Sequence, residues 1–237
     1  MRRKLNWIAA ALVALIFAVP AAAHEQGTWI LRGGAGMVSP QSDNLDFGTV
    51  NLEDGTVVEN SYIQVDDGSS LILSGTYMLY DNWAIDILGA FPFEHDIDLT
   101  GTVEGSAGSV PIGSTKHLPP TISLQYHFSP EAAFQPYVGF GVNYTIFSSE
   151  SVDQATQDAS GLLAIELKDS SGFAAQVGAD GVFGDNWLLN IDVRYIQIES
   201  ELLITVDDGG NFIENLAVPG RVEINPWVYG VSVGYRF

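Results

Sequence analysis

The side chains with the widest chemical range in this chain are few and scattered. His95, His117 and His127 fall in segments that read as strands, and His24 lies near the start. The three strand histidines have three different local surroundings and no H-x-x-x-H pairing, so a metal centre is not expected. The chain has no cysteine, which removes disulfides, thiolate catalysis and cysteine metal sites. Serines are plentiful, but no G-x-S-x-G elbow occurs. A membrane-embedded lipase or acyl transferase would need Ser, His and a carboxylate at one rim. Ser148 or Ser149 would be the candidates, and nothing in the sequence selects them. The expectation is therefore no enzyme, no catalytic residue, no metal and no cofactor.

Charge offers more. Arg32, Asp86, Glu94, Asp180, Asp192, Arg194 and Arg236 share one side of their segments by parity. Mixed signs at similar depth predict salt-bridged pairs inside a narrow lumen. Ile72, Met78, Leu88, Ile196 and Ile198 fall on the same side. They either pack a core or line a partly hydrophobic channel. Prolines form a third group. Pro92 lies inside one segment, and Pro119 and Pro120 lie inside the next. Proline cannot donate a ladder hydrogen bond. If those segments pair, the prolines either kink the wall or open it sideways.

The elements that must position these residues carry a period of two rather than 3.6. From Trp83 to Ile97 the odd positions are mostly apolar and aromatic, and the even ones mostly small or acidic. Such a run is long beside the ~5–6 residues usual in a globular strand. The pattern recurs from Trp187 to Gln197, from Pro136 to Phe147 and from Trp227 to Phe237. Eight segments result: Gly27–Val38, Ser69–Tyr80, Trp83–Thr100, Ile112–Phe128, Phe134–Ser148, Ser170–Phe183, Asn186–Val206 and Val222–Phe237. Short turns at 81–82, 129–133 and 184–185 alternate with long polar connections at 39–68, 101–111, 149–169 and 207–221. This asymmetry predicts an all-β fold, an eight-stranded antiparallel transmembrane β-barrel of the outer-membrane type, with both termini periplasmic. Trp29, Tyr80, Trp83, Phe128, Phe134, Phe183, Trp187, Tyr235 and Phe237 gather near the short-turn rim as an aromatic girdle.

The first 23 residues read as a cleaved signal peptide: a basic Arg2-Arg3-Lys4, an apolar Leu5–Val19, then Pro20 and Ala21-Ala22-Ala23. One domain, 24–237, follows. Losing those three basic residues carries the formal charge from −20 to −23. An acidity of that size argues against nucleic acid or bulk attraction to anionic surfaces. Acidic pairs such as Asp66-Asp67 and Asp207-Asp208 lie in the long connections. They read as a solvated outer face, or else as divalent-cation bridges to anionic lipid headgroups. No ligand spacing marks a specific site.

Beyond pattern, the chain resembles the OmpW family of small outer-membrane channels. The resemblance is carried by His24-Glu25, DNWAIDILGAFPFEHDI at 81–97, KHLPPT at 116–121, PYVGFGVNYT at 136–145, LKDS at 167–170 and NPWVYGVSVGYRF at 225–237. It implies a narrow, largely hydrophobic lumen and passive uptake of small hydrophobic molecules, with lateral exit through the barrel wall. Implied partners are outer-membrane lipids, lipopolysaccharide and small hydrophobic solutes. Some members serve as phage or bacteriocin receptors. The alternative is a structural, adhesive or receptor barrel with a sealed lumen, acting through its extracellular loops.

Overall fold

Strict alternation along a strand leaves one face for lipid and one for the interior, and closure into a barrel removes the edges. A computed structural model of the chain describes residues 25–41, 46–51, 57–103, 105–208, 210–217 and 221–237. The expected signal peptide lies outside the described residues. The strands, in chain order, are β1 (Trp29–Ser39), β2 (Asp46–Asn51), β3 (Val57–Val65), β4 (Gly68–Met78), β5 (Trp83–Ala90), β6 (Phe93–Val103), β7 (Ser106–Leu118), β8 (Thr121–His127) and β9 (Phe134–Val152). A short helix α1 (Gln154–Ser160) precedes β10 (Leu162–Leu167), β11 (Ser170–Phe183), β12 (Trp187–Ile196), β13 (Glu199–Ser200), β14 (Leu202–Asp208), β15 (Asn211–Ala217), β16 (Val222–Glu223) and β17 (Trp227–Arg236).

Eight of these strands close a ring, β1-β4-β5-β8-β9-β11-β12-β17, with β17 returning to β1. Every neighbour in the ring is antiparallel. On β12 the inward Leu188, Asn190, Asp192, Arg194 and Ile196 are buried, while Trp187, Leu189 and Ile191 are exposed on the outside. Leu71, Leu73, Ile87, Val142 and Val231 extend that outward apolar band around the barrel. In water such a surface would be unfavourable by about 25 cal/mol per Å²; against acyl chains it is matched. At the short-turn rim, Trp29 packs on Tyr77, Trp83 on Tyr126 and Trp187 on Tyr235 at ring separations of 4.8, 5.0 and 5.0 Å.

The long connections differ from the expected polar loops. β9 runs on beyond the ring and carries a sheet of β7, β6, β3 and β2, while β10, β14 and β15 form a second sheet beside it. Their own alternation explains this: Ile63 and Val65, Leu162 and Ile165, and Leu202, Ile204 and Val206 need an interior to face. The barrel is thereby prolonged above the lipid band as a walled extension.

A second difference concerns parity. β5 and β6 were expected to form one strand with even positions inward. In the structure Ala84, Asp86 and Leu88 point inward, but beyond Phe91-Pro92 it is Phe93, His95 and Ile97 that are buried. The pairing registers account for the swap. The β5–β8 ladder ends at Leu88↔Thr121 and the β6–β7 ladder starts at Phe93↔His117. Gly89–Pro92 therefore opposes Leu118–Pro120, one residue fewer, and the extra residue turns every later side chain to the other face. Glu94, expected inside, stands 61 % exposed on the outer surface with Lys116 at 3.4 Å.

Candidate functional site

The interior is layered, and the layers follow from which inward residues share a height. Nearest the short-turn rim, Ile30, Met78, Ala84 and Leu188 pack together. Above them lies a charged belt. Arg32 donates to Asp180 through Nε at 3.2 Å and through Nη2 at 2.5 Å. Its Nη1 lies 4.0 Å from Asp86. Arg194 reaches Asp192 at 2.6 Å and Asp86 at 3.2 Å. Thr76 donates to Asp86, and Asn190 donates to Tyr137 Oη and to Asp180. Tyr137 fits because Gly178 lies beneath its ring: a Cβ there would come within 2.5 Å of the Tyr137 hydroxyl. All of these groups are almost fully buried. The belt crosses the barrel and closes the straight path to the periplasmic rim.

Above the belt sits an apolar floor that includes Val38, Ile72, Leu88, Phe93, Ile196, Ile198 and Val228. Of the residues expected to line a channel, Ile72, Leu88, Ile196 and Ile198 come together here. Met78 lies apart, on the far side of the charged belt. Of the charged set, Arg32, Asp86, Asp180, Asp192 and Arg194 form the belt. Arg236 is inward at the rim, where its Nη2 donates to the Asp185 carbonyl at 2.6 Å. Glu94 is outside.

Over this floor the extension encloses a cavity of about 270 Å³. Ile63, Ile97, Leu99, Ile112, Leu202 and Ile204 are among its apolar walls, and Phe147 and the side of α1 complete it. Its lower wall carries the polar groups. His95 and His117 stack at 4.8 Å with an interplanar angle of 19°, and Phe93 stacks on His117 at 5.7 Å. Two of the three strand histidines thus share one surrounding, against expectation. The parity swap at Pro92 turned His95 inward, and the sequence carried no signal of it. His127 lies elsewhere, beside Gln125 and Tyr137.

His95 and His117 belong to the extension, outside the lipid band, which ends on this strand at Phe91. Asp66 fixes the His95 tautomer: its carbonyl accepts from Nδ1 at 2.6 Å, leaving Nε2 a lone-pair acceptor. Burial lowers the His95 pKa, against the opposing pull of Asp66, Asp67 and Asp96. Burial, together with the His95 neighbour, pushes His117 down to about 3. Both rings are neutral at ordinary pH, which suits an apolar cavity. Among the described residues, no group of three or more metal-ligating side chains converges.

Beside the cavity the wall is thin. Gly89–Pro92 and Leu118–Pro120 have no ladder pairs between them. On its other edge, β4 holds Phe91 through a backbone bond from Phe91 N to Leu71 O. The next backbone bond on that side is Asp66 N to Asp96 O. Gly68–Ser70 therefore face Pro92–His95 without a ladder. The His95 ring fills the space over Gly68, where a Cβ would lie 2.6 Å from its Cε1. At Pro119 and Pro120 the opposite edge stays joined to β9, through Leu118↔Ile146, Thr121↔Asn143 and Tyr144 N to Pro120 O. The unladdered windows thus flank Pro92 on both sides.

The same architecture occurs in known proteins. A model of the OmpW family matches residues 25–237. Outer membrane protein W of Vibrio cholerae is 38 % identical over 96 % of both chains. The crystal structure of outer membrane protein OprG from Pseudomonas aeruginosa superposes with a TM-score of 0.73 at 32 % identity, covering 91 % of this chain and 98 % of that one. More distantly, the dibenzothiophene metabolism operon protein PahQ of Pseudomonas aeruginosa is 22 % identical over 90 % of both chains. An eight-stranded barrel with a girdled apolar band, matched along the whole described chain, is a protein of the outer membrane, and this chain belongs to the OmpW family.

Proposed function

We propose that this barrel is a passive channel that takes small hydrophobic molecules from outside and releases them sideways into the outer leaflet. The observation that carries this reading is the position of the apolar cavity. It stands on a floor and a charged belt that block the axis, and it adjoins the unladdered wall at Pro92. A solute that cannot pass Arg32, Asp86 and Asp180 has one favourable way on, because apolar surface gains free energy on entering the bilayer. The exit would run past His95, between Gly68–Ser70 and Pro92–Glu94, and emerge level with the outward Phe91. PahQ, a distant relative named for a dibenzothiophene operon, supports an apolar aromatic cargo.

Uptake of naphthalene by cells producing the protein, against cells without it, tests the reading. Faster uptake is expected, and equal rates would refute it. His95→Ala, which clears the space over Gly68, should speed uptake further. The sealed belt also favours a second reading, a receptor or adhesive barrel acting through the extension. That reading requires naphthalene uptake to be the same with and without the protein.

A further inference from the structure

Just beneath the cavity surface, in residues of its wall, three buried polar atoms have no hydrogen-bond partner in the protein and are reached from the cavity by a turn of their side chains: His95 Nε2, His117 Nε2 and Thr115 Oγ1. They are not scattered. His95 and Thr115 are directly opposed across the β6–β7 ladder, and His117 is the next inward residue on β7, stacked on His95. The three side chains are at most 3 % exposed and all belong to the cavity wall. The rest of that wall is almost wholly apolar. An unmade hydrogen bond at a buried group costs about 1–3 kcal/mol, so three in one patch ask for a partner.

Their chemistry limits that partner. His95 Nε2 accepts, since Nδ1 donates to Asp66. The Thr115 hydroxyl can donate one hydrogen bond and accept others. A group that donates to the imidazole and accepts from the threonine answers both, and a hydroxyl does so with one atom. A carboxylate cannot donate, and an ammonium cannot accept. The volume sets the body. A cavity of ~150 Å³ takes benzene, so the larger one here has room for two fused rings. The almost wholly apolar wall, with Phe147 part of it, suits such a body.

The geometry points to a binding site for a neutral one- or two-ring aromatic carrying a single hydroxyl, its oxygen held between His95 Nε2 and Thr115 Oγ1. This deepens the channel reading by naming the solute class, and it rests on the cavity being the solute's entry site. Two matched probes test it: 1-naphthol and naphthalene, by equilibrium dialysis against the full chain in nanodiscs, with empty nanodiscs subtracted. Two added hydrogen bonds should favour 1-naphthol on the order of tenfold. The ratio should fall towards unity in Thr115→Val combined with His95→Phe, which remove both partners of the hydroxyl and keep an aromatic ring stacked on His117. The proposal is overturned if wild type binds both probes equally, if it binds neither, or if the ratio survives in the double variant. Should that variant not fold, the wild-type ratio alone decides. Uptake separates the two readings. Equal binding with protein-dependent uptake removes the hydroxyl preference and leaves the channel. A tenfold preference without protein-dependent uptake leaves the site and removes the channel.

Discussion

Arg32 and His117 show how differently single residues hold this interior. Arg32 is buried with Asp180 and Asp86, so removing one partner strands a charge in a place water does not reach. Asp180→Asn should lower unfolding stability by about 3 kcal/mol, the usual effect of breaking a buried pair from one side. Urea titration of the refolded barrel in lipid would measure it, and an unchanged midpoint would mean the belt is not acting as a charge network. His117 works by staying neutral. Its pKa falls from 6.5 to about 3 on folding, mainly through burial. Between those values the unfolded chain binds the proton and the folded chain does not. Its contribution to stability is therefore whole above pH 6.5 and is lost as pH falls towards 3. His95 shifts in the same direction, so His117→Phe removes only part of the slope. The gap between wild-type and His117→Phe urea midpoints should move in the variant's favour from pH 7 to pH 4. A constant gap would show that His117 is not a buried neutral ring.

At the scale of elements, the pair β5–β6 decides the most. One residue more in Gly89–Pro92 than in Leu118–Pro120 interrupts two ladders and reverses the parity of β6 relative to β5, while β7 keeps that of β8. Pro92→Val restores an N–H donor where neither edge is laddered. It should reduce naphthalene uptake while the barrel still shows the heat-dependent gel mobility of a folded state. Pro119→Val with Pro120→Val should have the smaller effect, because that segment stays bonded to β9 on its other edge. Equal effects from the two sets would move the exit to the Leu118–Pro120 edge.

For the whole molecule, the division between ring and extension is the main fact. The ring closes through β9 and β11 without help from β10, β14 or β15. Deleting 203–217 should therefore leave a folded, lipid-inserted barrel and open the cavity that Ile204 and Val206 help to enclose. Such a variant should lose binding of 1-naphthol and naphthalene alike while keeping its far-UV β signal. Retained binding would place the solute in the barrel proper.

The eight-stranded ring, its girdle and the belt residues Arg32, Asp86, Asp180, Asp192 and Arg194 were legible in the sequence, because alternation is local and each strand reports its own two faces. The windows could be suspected from Pro92, Pro119 and Pro120, since proline's missing N–H is a property of the residue. The positions of Glu94 and His95 were not legible. Parity is reckoned along one strand, and a bulge shows only against its partner's register. The cavity was hidden for a related reason: β3 and β10 look like polar connections singly, β6, β7 and β14 look like the ends of membrane strands, and they gain an interior only when placed around one another. That this is a barrel was determined by the sequence alone. Tertiary structure decided where the cavity and the unladdered wall lie, because both depend on pairings between residues far apart in the chain.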